Sequence, residues 1–279
     1  MGLIEENRQR DKSLNFFTCA NKAYEDFVPI FVSSVLWSNP NSTVEIGLEN
    51  AEEYLSSKAG RHIVEEFGDK VKLRTVNWKS PGGRNILPNS IRFINQPSIK
   101  SDYVYISDID IVTLVPDIIL KHLTHMAQIG LPFSNIVRPG TNRLTGLHFA
   151  EYDFQYPISD VSDLIEGRIN DEVLLYNIVQ RKLERPIEIS QKFRPVHGIH
   201  VSPNRQPRGH FKNGVKRPGW GISLHRKAWA AFRSTSHFRA MESFVSDRQR
   251  GIIAQIDEVA GKGELDITDE AFMPRGTSE

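Results

Sequence analysis

Two aspartates two residues apart, Asp108 and Asp110, are the residues of this sequence best suited to chemistry. They follow Tyr103–Ile106, an apolar run typical of a buried strand, so both carboxylates stand where the chain leaves a sheet. Paired carboxylates can bind one hard cation, and Mg²⁺ or Mn²⁺ held in this way commonly completes its coordination with diphosphate oxygens. The motif therefore indicates a site for a metal-bound diphosphate, with a solvated acidic turn as the alternative.

Two histidines, His197 and His200, lie in the strand-like segment Arg194–Ser202. Imidazole binds Mn²⁺ as well as Zn²⁺, so either ring could complete the two-aspartate site. Residues three apart on a strand face opposite sides, so we expect only one histidine to serve. His200 is nearer the end of the strand and is favoured over His197. The alternative is structural, with one histidine solvated and the other satisfied in the core.

Basic residues dominate Gln191–Lys227, which contains nine Lys or Arg and no Asp or Glu. A flexible cationic loop can close over phosphates and stabilise a departing diphosphate, although a solvated basic surface would have the same composition. The whole chain has a formal charge of +1, so nothing in its composition indicates nucleic-acid binding. The basic residues that follow His200 are Arg205, Arg208, Lys212, Lys216 and Arg217.

Strands and helices alternate through the first half of the chain. Apolar patterns predict strands at 14–20, 43–48, 71–76 and 103–106, and helical segments at 27–36, 51–67 and around Ile91. This order predicts an α/β fold with a mostly parallel, Rossmann-like sheet and helices on both faces. Such sheets bind ligands beyond the carboxyl ends of their strands, where Asn21 and the aspartate pair stand. A less regular second half follows, with strands at 144–150 and 195–202 and helices at 170–184 and 226–232.

Four segments of the sequence resemble the family 8 glycosyltransferases, the glycogenin- and galactosyltransferase-like enzymes of GT-A fold. Phe17–Tyr24 resembles that family's first strand and nucleotide loop, and Tyr103–Asp110 its strand and Asp-x-Asp motif. Arg92 stands where the family has a basic residue near the diphosphate. Asp171–Asn177 is similar to the family's Asp-Gln segment near the transferred sugar, with Glu172 in place of the amide.

The resemblance implies a Mn²⁺- or Mg²⁺-dependent transferase that takes a nucleotide diphosphate sugar, UDP-sugar foremost, and a glycan or other hydroxyl acceptor. It implies a metal held by Asp108, Asp110 and a histidine, with Asp171 and Glu172 as catalytic residues beside the sugar or acceptor. The residues that it assigns to donor binding, Asp108 again among them, are Thr18, Ala20, Asn21, Tyr24, Arg92, Asp108 and Arg205.

The same resemblance implies one catalytic domain over 1–279. Its nucleotide-sugar-binding half would cover 14–115, a mixed acceptor-binding half 116–245, and a tail 246–279. A single cysteine, Cys19, fits a reducing compartment, and the charged N-terminus lacks a signal-peptide pattern, so we expect a cytoplasmic protein. No apolar run is long enough to span a bilayer, while peripheral membrane contact is left open.

Two other functions remain open from the sequence. In a haloacid-dehalogenase-like phosphatase, Asp108 would be the covalent nucleophile and Asp110 the acid. That arrangement places the motif near the start of the fold, whereas about a hundred residues precede it here. The other alternative is a non-catalytic GT-A-like binding module, which the presence of both aspartates, Asn21, Arg92 and a histidine argues against.

Overall fold

The protein is described as a computed structural model that covers residues 12–80, 83, 85–166, 169–189 and 194–263. The described residues form ten strands, which are β1 (Leu14–Ala20), β2 (Thr43–Leu48), β3 (Val71–Thr75), β4 (Tyr103–Ile106), β5 (Ile111–Thr113), β6 (Phe133–Ser134), β7 (His148–Glu151), β8 (Gly198–His200), β9 (His210–Lys212) and β10 (Val215–Arg217).

Six of these strands make the central sheet, in the order β3-β2-β1-β4-β7-β6. The four strands from β3 to β4 are parallel, and β7 and β6 complete the sheet in antiparallel pairings. Two small antiparallel sheets lie outside this sheet, one formed by β5 with β8 and the other by β9 with β10. The predicted mostly parallel α/β sheet with a mixed second half is confirmed.

Eleven α-helices accompany the strands in the described residues. They are α1 (Val28–Ser38), α2 (Ala51–Leu55), α3 (Lys58–Phe67), α4 (Ile91–Ile94), α5 (Ile118–Ile129), α6 (Tyr152–Gln155), α7 (Ser162–Ile165), α8 (Asp171–Leu183), α9 (Ile222–Arg233), α10 (Ser236–Glu242) and α11 (Asp247–Gly261). None of the described helices is both long and apolar enough to cross a membrane.

The core has a layer on each face of the sheet. Successive side chains of a strand point to opposite faces, so Phe16 and Phe17, both fully buried, enter different layers. Phe16 packs in the layer that contains α1, α9, α10 and α11, while Phe17 packs in the layer that contains α4 and α8. Helices therefore cover both faces, as the alternation of elements predicted.

The helical segment at 51–67 is interrupted earlier than the sequence suggests. The expected break near Gly60 lies at Ser56–Ser57, where the Ser57 hydroxyl caps α3 by accepting a hydrogen bond from the Gly60 amide at 3.0 Å. Gly60 lies inside α3. A glycine is needed there because a Cβ at this position would lie 2.2 Å from the Tyr54 carbonyl oxygen. The glycine therefore permits close packing of two helices and does not end one.

Boundaries in the second half differ more from the sequence prediction. The predicted strands at 144–150 and 195–202 are shortened to β7 and β8, and the helix expected at 226–232 begins at Ile222. The predicted tail over 246–279 begins too early, because α11 buries Ile253, Ile256 and Val259 in the core. Residues 264–279 lie outside the described part of the chain.

A chain of buried, hydrogen-bonded side chains lies beneath β4. The Tyr105 hydroxyl is 2.6 Å from His197 Nδ1, and His197 Nε2 is 2.7 Å from His122 Nε2. The other nitrogen of His122 contacts the Ser134 hydroxyl at 2.7 Å. Burial lowers the pKa values of His122 and His197 well below the ordinary value, and it lowers the pKa of nearby His148 to about 3. These rings are neutral in the folded protein.

Acid should destabilise the fold through these histidines. A histidine whose pKa is lowered by folding binds its proton only in the unfolded chain, so stability is lost as the pH falls below about 6.5. For His148 alone the free energy of unfolding should be about 2 kcal/mol lower at pH 5 than at neutral pH. Urea unfolding of the wild type and of His148→Gln across this range measures the effect. In the variant, the free energy of unfolding should depend on pH less steeply, because one fewer group takes up a proton on unfolding. The same dependence in both proteins would contradict a neutral His148.

Candidate functional site

A cavity of about 560 Å³ opens at the carboxyl ends of β1 and β4. The chain runs from β1 outward to β2 and β3 on one side and resumes at β4 on the other side, so this edge is the topological switch point of the sheet. Neighbouring loops diverge at such a point and leave a crevice for a ligand. Asn21 follows β1 and the Asp108–Asp110 pair follows β4, and all three residues line the cavity.

Asp108, Asp110 and His200 converge at one side of this cavity. One ligand atom from each lies within 4.8 Å of the other two, which makes them a candidate metal-binding group among the described residues. His200 Nε2 is 3.3 Å from Asp110 Oδ1 and 3.8 Å from Asp108 Oδ2. Two carboxylate oxygens and one imidazole nitrogen form a donor set that fits a divalent ion such as Mn²⁺.

The pairing of β5 with β8 places His200 beside the aspartates. In this register Ile111 is opposite His200, and the Val201 amide donates to the Asp110 carbonyl at 2.9 Å. Gly198 is required at the other end of β8, because a Cβ there would lie 1.8 Å from the Val112 carbonyl oxygen. Two segments about ninety residues apart in sequence are thus joined by a short backbone pairing at the site.

His197 is directed away from the metal group. Both of its ring nitrogens are engaged in the buried chain with Tyr105 and His122, and its side chain does not line the cavity. The hypothesis that named His197 as an alternative metal ligand is corrected accordingly. His197 and His200 face opposite sides of the segment, as expected for strand residues three apart.

Arg92 joins the metal group to the other acidic residues of the cavity. Its Nη1 lies 2.8 Å from Asp108 Oδ1, and its Nη2 lies 3.3 Å from Asp171 Oδ2 and 3.3 Å from the Gly146 carbonyl oxygen. The guanidinium is buried, and its planar group of donors can contact two carboxylates at once. Arg92 therefore holds Asp108 and Asp171 at a fixed separation and offsets part of their charge.

The pKa shifts show how negative the site is. Burial alone would lower the pKa of His200, yet the Asp110 and Asp108 carboxylates raise it above its ordinary value. Burial would raise the pKa of Asp110, but His200 and Arg92 lower it. The positive charge on His200 is thus stabilised by the same carboxylates that would stabilise a metal ion, and such an ion would take the place of that proton.

Asp171 and Glu172 begin helix α8 and both line the cavity. Burial raises the pKa of Asp171, an effect that Arg92 opposes. Glu172 accepts two hydrogen bonds from Arg138, with Nε to Oε2 at 2.8 Å and Nη2 to Oε1 at 2.6 Å. The bidentate pair fixes the Glu172 carboxylate at the cavity wall.

Ala20, Asn21 and Tyr24 line the side of the cavity formed by β1 and the loop after it. Asn21 Oδ1 is buried and has no hydrogen-bond partner among the described residues, so it is available to an N–H or O–H group of a ligand. Thr18 is fully buried within β1 and does not line the cavity. Its expected contact with a donor is therefore absent from this arrangement.

Helix α11 supports this loop from behind. Arg248 donates to the Ala23 carbonyl at 2.8 Å, and its guanidinium lies 5.2 Å from the Tyr24 ring centroid and 4.9 Å from that of Phe27. Ser246 adds a hydrogen bond of 2.8 Å to Asp26 Oδ2. The segment that the sequence suggested to be a tail thus holds one wall of the candidate site.

Cys19 also lines the cavity, but burial raises the pKa of its thiol to about 12. The thiol is therefore protonated near neutral pH, whereas nucleophilic attack would require the thiolate. Cys19 is free and buried, which agrees with a structural role as a small side chain.

The basic segment is divided between two places. Arg205 lines the same cavity as His200, whereas Lys212, Lys216 and Arg217 lie on an exposed hairpin. Arg208 lies at the base of that hairpin and pairs with Glu258 at 3.5 Å. The expectation that all of these residues close over phosphates is not met in this conformation.

Two arginines of the cavity were not found from the sequence. Arg138 pairs with Glu172, and buried Arg194 donates from Nε to the Thr145 hydroxyl at 2.7 Å. Arg194 belongs to the basic segment Gln191–Lys227, so the composition of that segment pointed to its region but not to this residue. Arg138 stands in an ordinary loop, and only the fold brings it to the cavity.

Replacing Arg248 with Ala should weaken binding of a nucleoside diphosphate while leaving metal binding unchanged. The cation above Tyr24 and the hydrogen bond to Ala23 together should be worth about tenfold in the dissociation constant. Calorimetry with Mn²⁺ alone and with Mn²⁺ plus UDP measures both quantities. Arg250→Ala is the matched control, since Arg250 pairs with Asp247 on the same helix. Equal UDP affinity in Arg248→Ala and the control would show that α11 does not support the loop.

Comparison with known proteins finds similarity in structure alone. No family model matches the sequence, and no curated protein is similar enough to count as a relative. The chain is similar to galactosyltransferase LgtC in complex with donor and acceptor sugar analogs, at 13% identity and a TM-score of 0.49 over 85% of this chain and 99% of that one. An active-site mutant of LgtC matches at 14% identity and a TM-score of 0.44, over 59% and 70% of the two chains.

The glycosyltransferase GlyE of Streptococcus pneumoniae matches at 10% identity and a TM-score of 0.46, over 86% of this chain and 64% of that one. LgtC and GlyE are both named as glycosyltransferases. At these identities and TM-scores the likeness concerns the course of the chain, and the functional argument rests on the side chains described above.

Proposed function

We propose that this chain is a metal-dependent glycosyltransferase that moves a hexose or pentose from a nucleotide diphosphate sugar to a hydroxyl group of a glycan or other acceptor. One observation carries the proposal. Asp108, Asp110 and His200 converge at the switch-point cavity, with Arg92 and Arg205 at the same cavity. A diphosphate needs such a combination of a cation site and nearby guanidinium groups.

Asp108, Asp110 and His200 would hold the ion, with Mn²⁺ favoured over Mg²⁺ because one of the three donors is an imidazole nitrogen. When bound, the metal neutralises the negative charge that develops on a departing diphosphate. Arg92 keeps Asp108 oriented through its contact at 2.8 Å. Arg205 supplies a further positive charge at the mouth of the cavity, next to His200.

The donor nucleoside would lie along β1 and its loop. Asn21 Oδ1, which is buried and accepts no hydrogen bond from the part of the chain described, can accept one from a nucleobase N–H or a ribose hydroxyl. The Tyr24 ring lines the same wall, where Arg248 packs against it. UDP is the favoured carrier on the resemblance of Phe17–Tyr24 to the nucleotide loop of family 8.

The sugar would lie between the metal group and helix α8. Transfer breaks the bond between the anomeric carbon and the diphosphate oxygen and forms a bond from that carbon to the acceptor oxygen, whose proton passes to the departing diphosphate or to solvent. Asp171 lies beyond Arg92 from the metal group, so its carboxylate can accept a hydrogen bond from a sugar or acceptor hydroxyl. Glu172, fixed by Arg138, offers a second carboxylate on the same wall.

The two alternatives receive less support from the site. A phosphatase of the haloacid-dehalogenase type would need Asp108 free to attack, but Arg92 contacts Oδ1 and His200 is near Oδ2. None of the described residues that line the cavity is a lysine, which that reaction also employs. A binding module without activity would share the metal and nucleotide sites, so only an activity measurement separates it from a transferase.

Replacing Asp110 with Asn should abolish the metal-dependent activity. The change removes a negative charge from the ligand group and keeps the size of the side chain, so activity should fall at least about 100-fold. Release of UDP from UDP-sugars with Mn²⁺, measured over a panel of donors, gives the activity, and calorimetry gives the Mn²⁺ affinity. Both should fall together while the thermal unfolding midpoint changes little.

Asp153→Asn serves as the matched control because Asp153 is exposed and pairs only with Lys100 at the surface. Full activity in Asp110→Asn would refute a transferase that uses this metal site. Hydrolysis of an aryl phosphate by the wild type, with no turnover of any nucleotide sugar, would favour the phosphatase. Metal-dependent UDP binding without turnover would favour the binding module.

A further inference from the structure

The β9–β10 hairpin protrudes from the second half of the molecule. Its strands pair only with each other within the described residues, and every residue from 211 to 217 is exposed. Asn213 and Gly214 form the turn with φ values of 52° and 75°, the backbone that a tight two-residue hairpin requires. The hairpin is thus a well-formed element that contributes little to the core.

Two apolar side chains near the hairpin tip are exposed. Phe211 is 69% exposed and Val215 is 53% exposed, the two highest values among the large hydrophobic residues described. Phe211 is opposite Lys216 and Val215 is opposite Lys212, so each apolar side chain has a basic neighbour across the ladder. An aromatic and an aliphatic side chain beside cations are typical of a surface that enters the interface of a membrane.

The sequence segment that contains the hairpin has basic residues and no acidic ones. The sequence has no acidic residue between Glu188 and Glu242, and the described residues provide no ion pair for Lys212 or Arg217. Lys212 and Arg217 are both exposed, and their charges have no ion-pair partner in the part of the chain that the structure describes. A negatively charged surface is the complement of this local positive charge. The formal charge of the whole chain is only +1, so any attraction to such a surface would come from this segment and not from the net charge.

The base of the hairpin is fixed to the candidate active site. The Trp220 amide donates to the Pro207 carbonyl at 3.1 Å, and a Cβ on Gly219 would lie 2.6 Å from that same carbonyl oxygen. Trp220 is buried, and its own carbonyl accepts a hydrogen bond from the His200 amide at 2.9 Å. Docking of the hairpin would therefore set the position of the cavity relative to the docked surface.

We propose that the hairpin Phe211–Arg217 docks the protein on an anionic phospholipid surface. Because Phe211 and Val215 lie on opposite faces of the two-stranded ladder, the hairpin would enter the surface tip first. Both side chains would then be buried at the boundary between headgroups and acyl chains, and Lys212 and Arg217 would contact lipid phosphates. A membrane fits better than a nucleic acid because the aliphatic Val215 offers no ring for base stacking. This inference is independent of the sugar-transfer proposal, since it requires neither a metal nor a donor.

Vesicle flotation with the full chain tests the proposal. The wild type should bind vesicles of equimolar phosphatidylcholine and phosphatidylglycerol and should not bind vesicles of phosphatidylcholine alone. The double variant Lys212→Gln/Arg217→Gln should bind roughly 20- to 30-fold more weakly, since each basic residue near the surface contributes about fivefold. Phe211→Ser should weaken binding at least about tenfold through its lost apolar area.

The matched control is Lys58→Gln/Val64→Ser, which removes an exposed cation and an exposed apolar side chain from helix α3 and should bind as the wild type does. Circular dichroism and the unfolding midpoint of each variant establish that the hairpin variants are folded. Absence of wild-type binding to anionic vesicles, or equal binding by the hairpin variants, would overturn the proposal. Binding to heparin or single-stranded DNA without binding to anionic vesicles would instead assign the hairpin to an acidic macromolecule.

Discussion

The approach of His200 to Asp110, at 3.3 Å, is the interaction on which the rest of the site depends. It is made possible by one short backbone pairing between β5 and β8, which joins the chain after the parallel half of the sheet to a strand from the second half. Without this pairing the two aspartates would be an acidic turn at the end of β4. With it, they become part of a three-residue group that faces a cavity.

Charge balance explains how so many ionisable groups can share that cavity. Burying a carboxylate is costly unless it is paired, and each acid here has a partner of opposite charge. Arg92 contacts Asp108 and Asp171, Arg138 contacts Glu172, and His200 contacts Asp110. Of these partners, only His200 has a neutral form that can bind a metal ion, because an arginine side chain stays protonated, so Asp108 and Asp110 are the acids best placed to exchange a proton for a metal ion.

The first half of the fold was predictable because each element carries a complete local signal. Strands β1, β2 and β4 have the predicted bounds, since each is a short apolar run that the sheet buries on both faces. The second half was less predictable because its short strands exist through pairing with distant segments. The sequence pattern extended β8 over Pro195–Ser202, whereas its three paired residues are those opposite β5.

The site shows the same division between local and distant information. Asp108, Asp110, Arg92 and Asn21 could be proposed from motif and strand order. The separation of His197 from His200 followed from strand geometry. Arg138 and the support from Arg248 could not be predicted, because each reaches the cavity wall from a segment with no local signal of function.

The most direct test of the metal group is pulsed electron paramagnetic resonance of the Mn²⁺-loaded protein, which detects a nitrogen nucleus bound to the ion. The account predicts a coupling from one imidazole nitrogen in the wild type and its loss in His200→Gln, with the coupling retained in a variant of His62, a half-buried histidine that does not line the cavity. A Mn²⁺ ion that binds without nitrogen coupling, or a coupling that persists in His200→Gln, would contradict the proposed coordination by Asp108, Asp110 and His200.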